Sequence, residues 1–161
     1  MKESRFTVNH VQLTADRPFA EVKATFERRL GRFDPEVQKA LAEGGDPEAA
    51  RARIEEMVGP SGFMLFGTSD HGSLLRIVGR PRKAVQYVVG NPLFAVEMTR
   101  HSIGAALYAP LRVLIYEEDG KTCIEYDRPL SLFGQFGDGQ VDAMASSLDQ
   151  KLAELAAEAI R

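Results

Sequence analysis

The chain has 161 residues, 44% of them hydrophobic and 27% charged, with a formal net charge of −3. That balance fits one soluble globular domain long enough to bury a core, and the mildly acidic charge argues against a general nucleic-acid binder. A single cysteine, Cys123, cannot close an internal disulfide, so no oxidising compartment is implied.

Arg5 to Thr14 predicts the first strand, because Phe6, Val8 and His10 alternate with polar neighbours before Val11 and Leu13. The opening residues lack the apolar run of a signal peptide, and no stretch approaches the roughly 20 apolar residues that a membrane span needs. A cytoplasmic protein without a membrane partner is the expectation. Asp16 and Pro18 then set a helix start, since a carboxylate can accept orphan amide bonds and proline fits a first turn. Phe19, Val22, Phe26 and Leu30 recur at helical spacing, and Gly31 ends the helix.

Between Phe33 and Pro60 the composition shifts to Ala, Glu, Arg and Lys. Asp34-Pro35 and Asp46-Pro47 start two short helices separated by Gly44-Gly45, with Val37, Leu41, Ile54, Met57 and Val58 as modest apolar contacts. The pair reads as a helical insertion at 33–60 within a single domain spanning 1–161. A solvated elaboration, a lid and an oligomer contact are the readings open to it.

Phe63 to Phe66 predicts a second strand, Asp70-His71-Gly72-Ser73 a turn, and Leu74 to Val78 a brief helix ended by Gly79. Lys83 to Val89 predicts a third strand. Asn91 caps a helix beginning at Pro92, with Leu93, Val96 and Arg100 on one side and its close at Ile103-Gly104. Leu111 to Tyr116 and Thr122 to Tyr126 flank Asp119-Gly120, a strong hairpin signal. Val141, Met144, Leu148, Leu152, Leu155 and Ala159 mark a long C-terminal amphipathic helix. Strands arriving in pairs, with helices between the pairs, predict an α+β two-layer domain.

Within Val88 to Glu117, a β-branched run stops at Gly90-Asn91-Pro92, a helix follows, and Ala109-Pro110-Leu111-Arg112 opens an apolar strand. This layout resembles the bacterial family designated domain of unknown function 302, where the entry to that strand is Leu-Pro-Leu-Arg-like. The steps at Asp70-His71 and at Tyr126-Asp127-Arg128-Pro129 are similar to that family's pattern as well. The resemblance covers Arg5 to Asn9 and most of Gly62 to Ile160, and family members pass more directly from the first helix to the next strand. It implies the fold and almost no chemistry.

Several residues are candidates for chemistry. Asp70 and His71 at a strand end could transfer protons, since histidine titrates near neutral pH; equally, Asp70 caps the turn and His71 bonds to backbone. Asn91 at a helix start leaves amides for an anion, and Gly90 permits close approach of a ligand; structural capping also explains the tripeptide. Glu97, Arg100 and His101 share a helix face, yet too few further ligands exist for a metal, so none is expected. Tyr126 could close a pocket. Arg76, Arg80, Arg82 and Lys83 form a basic cluster suited to an anion or simply to a solvated turn, and Cys123 reads as a packing residue.

The leading expectation is a small-ligand-binding or accessory domain acting as a homodimer, with the C-terminal helix or a sheet edge at the contact. A small anionic ligand would sit between the Asp70-His71 turn, the Gly90-Asn91 cap and Tyr126. One alternative is an enzyme using Asp70 and His71 beside an anion-binding helix start at Asn91. Another is a structural or protein-interaction module. The sequence identifies no cofactor.

Overall fold

The computed structural model describes residues 1 and 3–161. Strand β1 (His10–Ala15) leads through Pro18, which takes the N-cap position expected of Asp16, into α1 (Phe19–Arg28) and the two-residue strand β2 (Gly31–Arg32). Helices α2 (Glu36–Ala42) and α3 (Pro47–Met57) follow, then β3 (Met64–Asp70) and α4 (His71–Leu74), which continues as a 3₁₀ turn over Leu75–Val78. Next come β4 (Ala84–Gly90), α5 (Pro92–Thr99) and a 3₁₀ turn over Ile103–Tyr108. The hairpin of β5 (Leu111–Glu118) and β6 (Lys121–Asp127) precedes α6 (Pro129–Phe133) and α7 (Gly139–Ile160).

The six strands form one sheet in the order β1-β6-β5-β4-β3-β2. All neighbours are antiparallel except β2 and β3, which run parallel with Gly31 opposite Met64. Parallel neighbours need a long crossover, and α2 with α3 supplies it. The crossover leaves and rejoins the sheet at one point: the amides of Gly31 and Gly59 both donate to the Phe63 carbonyl, at 3.0 and 3.1 Å. A side chain on either glycine would collide with the backbone of the other strand of this junction.

The first strand starts five residues later than its alternation suggests. The Arg128 amide donates to the Asn9 carbonyl at 2.8 Å as the last rung, and Pro129 has no amide with which to continue. Helix α5 likewise stops at Thr99 rather than Ile103-Gly104. The amides of His101 and Ser102 converge on the single Met98 carbonyl, which ends the helical ladder.

Alternate residues of the sheet, among them Tyr87, Val89, Val113, Ile115, Ile124 and Tyr126, point to the side covered by α1 and α7. Asp138 caps α7 by accepting from the Gln140 and Val141 amides. Along that helix Val141, Leu148, Leu152, Leu155 and Ala159 are all buried within the chain. The stripe expected to offer a dimer contact is therefore spent on the protein's own core. A smaller cluster of Val37, Ala50, Ile54 and Met64 gathers between α2, α3 and the start of β3. No helix among the described residues is long and apolar enough to cross a membrane.

Candidate functional site

Asp70 closes β3 opposite Val85, whereas Gly90 and Asn91 close β4 beside Met64, at the other end of the same strand pair. Six strand steps of roughly 3.3 Å separate those ends by about 20 Å. The Asp70-His71 turn and the Asn91 cap therefore do not share a pocket. Tyr126 lies on the inward face of β6 between Val11 and Val113, only 5% exposed, and burial pushes its phenol up.

The Asp70 carboxylate turns back into its own loop. It accepts from the Ser73 hydroxyl at 2.5 Å and the Ser73 amide at 2.8 Å, and these bonds hold it below the usual aspartate range. His71 is exposed, and its ring makes no hydrogen bond among the described residues. The pair thus shows the geometry of a capped turn. In the basic cluster, Arg82 pairs with Glu118 and Lys83 with Glu117. Arg100 pairs with Glu97, and no group of potential metal ligands occurs among the described residues. Cys123 is buried, its sulfur 3.7 Å from the Thr14 hydroxyl.

Asn91 does cap α5. Its side-chain oxygen accepts from the Leu93 amide at 2.9 Å while its Nδ2 donates to the Gly62 carbonyl at 3.1 Å. Both ends of the carboxamide are thereby used within the chain. Gly90 sits under Pro110, where an added Cβ would approach the proline Cβ at 3.1 Å.

Gly90 and Asn91 also edge a cavity of about 400 Å³ bounded by α2, α3, α5 and the ends of β4 and β5. Its wall includes Val37, Ile54, Phe66, Met98, Leu111 and Phe133. Phe66 stands at a bulge in β3, which turns its ring onto Phe33 with centroids 4.5 Å apart. None of the 19 residues around the cavity is Asp, Glu, Lys, Arg or His. Sequence reasoning gave Phe33, Phe66 and Ile54 no part in a site. The signal available was the apolar spacing of Val37 with Leu41, and of Ile54 with Met57-Val58, in an otherwise charged segment.

A second arrangement that sequence reasoning passed over lies on the sheet face away from α1 and α7. His10 Nδ1 is 2.8 Å from Asp127 and its Nε2 is 3.3 Å from Glu125. Gln12 donates to both Glu125 and Tyr116, at 2.7 and 2.9 Å, and the Tyr116 hydroxyl donates to Glu125 at 2.5 Å. The bond to Glu125 pushes the tyrosine pKa well up, and the bond to Asp127 raises that of His10. These groups satisfy one another across three strands. Their alternation along β1 and β6 was visible in the sequence, but the register that joins them was not.

The family model described as domain of unknown function DUF302 matches residues 37–159, a range that runs through α2 and α3. A solved structure described as an uncharacterized conserved protein DUF302 from Bacillus stearothermophilus superposes with a TM-score of 0.66 at 19% identity, over 94% of this chain and 98% of that one. At that identity the likeness speaks for the fold. A comparison with curated proteins finds no match.

Proposed function

This chain belongs to the DUF302 family, and we propose that it serves there as a small-ligand-binding domain whose ligand sits in the cavity between α2–α3 and α5. One observation carries the reading: a half-open cavity of about 400 Å³ with a mainly apolar, uncharged wall. Ligand pockets commonly occupy about 300–1,000 Å³ and are lined in this way, with few polar groups. The α2–α3 pair then forms a wall of the site, so the segment read as an insertion gains a role. Native mass spectrometry of gently purified protein tests this. A stoichiometric metabolite, absent from an Ala95→Trp variant that fills the cavity, is the expected result. An empty parent protein that no compound in a metabolite panel stabilises against heat would remove the reading.

The same reading has the protein act as a homodimer in the cytoplasm. Since the α7 stripe is buried, the dimer contact would use the 3₁₀ turn after α5, where Ile103 and Leu107 are 80% and 81% exposed. Isolated apolar side chains on a surface are common, so sedimentation of the parent against Ile103→Ser/Leu107→Ser is the deciding measurement. A monomeric parent at micromolar concentration would remove the dimer.

A further inference from the structure

We infer that the cavity takes an uncharged, mainly apolar molecule, an alkyl chain or flat ring system with at most a small neutral polar group, and that it discriminates against anions. This rests on the preceding assignment of the cavity as a ligand seat and specifies the class of ligand. The wall carries no charged residue in a chain of which 27% of residues are charged. An anion seated there would lose part of its water and meet no cation in return, a cost that the few polar groups of the wall do not offset. Lys151 lies 5.9 Å over the Phe94 ring and is not part of the wall.

The polar groups that do reach the cavity are largely occupied. Asn91, the residue most suited by sequence to greet an anion at a helix start, has both ends of its side chain bonded within the protein. The Thr99 hydroxyl donates to the Val96 carbonyl at 3.4 Å. Among the described residues the Gln38 carboxamide makes no side-chain hydrogen bond, and Gln38 stands exposed on α2. The apolar body of a ligand would therefore lie against Phe66, Phe94 and Val96, which keep accessible surface, with any neutral donor or acceptor turned toward Gln38. The Phe33–Phe66 stack provides a flat surface on which a ring or an extended chain can lie.

The test uses the full chain and the uncharged fluorophore N-phenyl-1-naphthylamine, displaced in parallel by decan-1-ol and by decanoate at pH 8. Saturable probe binding is expected, with decan-1-ol competing at a concentration at least tenfold below that of decanoate. Ala95→Trp should abolish probe binding while circular dichroism shows an intact fold, and Gln38→Lys at the rim should narrow the gap between the two competitors. Decanoate competing equally or better, and lost with Ala95→Trp, would overturn the ligand class while leaving the cavity as a seat. If neither probe nor competitor binds saturably, or if binding survives Ala95→Trp, the seat fails and the class with it. A parent dimer that Ala95→Trp dissociates, with no probe binding, would assign the apolar wall to a second copy and likewise overturn the inference.

Discussion

The main core and the cluster under α2 and α3 are made of the same kinds of residue in different settings. In the first, Val22, Phe26, Ile115 and Leu152 are wholly shielded, each held between a sheet bonded on both sides and a long helix. In the second, Met64 of the sheet is shielded too, but Val37, Ala50 and Ile54 each keep 7–8% of their surface, and these three lie on α2 and α3, which touch the sheet near its β2–β3 edge. Depth and support, rather than hydrophobicity, separate the two clusters, and the cavity lies where they meet, walled by Val37 and Ile54 of the second and by Met98, Leu111 and Phe133 of the first. A packed wall with nowhere to relax resists change; a wall that already meets solvent can yield.

The sharpest way to break that contrast is to place the same charge in both regions. Leu152→Glu should abolish the cooperative unfolding transition, because its carboxylate would have no buried partner. Ile54→Glu should still fold, losing about 2–3 kcal/mol in chemical denaturation, since its side chain can swing to the adjacent surface. Equal loss of folding in both would show that the two clusters are one.

Replacing residues 33–60 with a short Gly/Ser linker comes next in size. Cooperative thermal unfolding should persist at a lower midpoint, because none of the buried residues of the main core lies in that segment and loop length enters closure entropy only logarithmically. Complete loss of cooperativity would place these helices in the main core. Asn91→Ala sits at the seam between regions, where it caps α5 and bonds Gly62, and should cost about 1–2 kcal/mol. A loss below 0.5 kcal/mol, a threshold at about the level of an ordinary surface change, would mean the seam is not held by this side chain.

Two smaller effects lie outside both clusters. His71→Ala should shift stability by less than about 1 kcal/mol, as at other exposed polar positions, and leave probe binding in the cavity intact. Probe loss there would reconnect the turn to the site. For His10, the hydrogen bond to Asp127 and then that to Glu125 favour the imidazolium in the folded state, against some desolvation. Its contribution is therefore fully present below the ordinary histidine value of about 6.5 and fades as pH rises through the raised folded value. His10 and Asp127 are largely open to solvent and Glu125 is half-buried, so the effect is small and screened by salt. Denaturation midpoints of the parent and His10→Gln should converge between pH 6 and pH 9; divergence would contradict the sign.

The parts legible in the sequence are those decided locally. Asp119-Gly120 turns the β5–β6 hairpin with positive φ at both residues, Asn91 caps the helix that starts at Pro92, and the spacing from Val141 to Ala159 is read directly by α7. What escaped was decided by partners. Two residues make a strand of β2 only because β3 lies beside them. The expected meeting of Asp70, Asn91 and Tyr126 treated all strand ends as one end, whereas antiparallel neighbours put the close of β3 beside the opening of β4. The cavity wall draws single residues from many elements, and the network around His10 depends on three strands in one register. Neither leaves a contiguous pattern in the chain.

The paired bonds from Gly31 and Gly59 to the Phe63 carbonyl give the crossover a single stem. The segment strung between those two glycines leaves and returns at one point. It otherwise meets the sheet through Phe33 on Phe66 and through the cluster at Met64, so insertions or deletions at its far turn, around Gly44-Gly45, need not transmit displacement to the sheet. Two proteins sharing this sheet could thus diverge in what they hold by rewriting the suspended segment alone. The stem itself would tolerate no side chain at either glycine. Such a stem would let one loop of the chain vary, much as a handle lets a tool change its head.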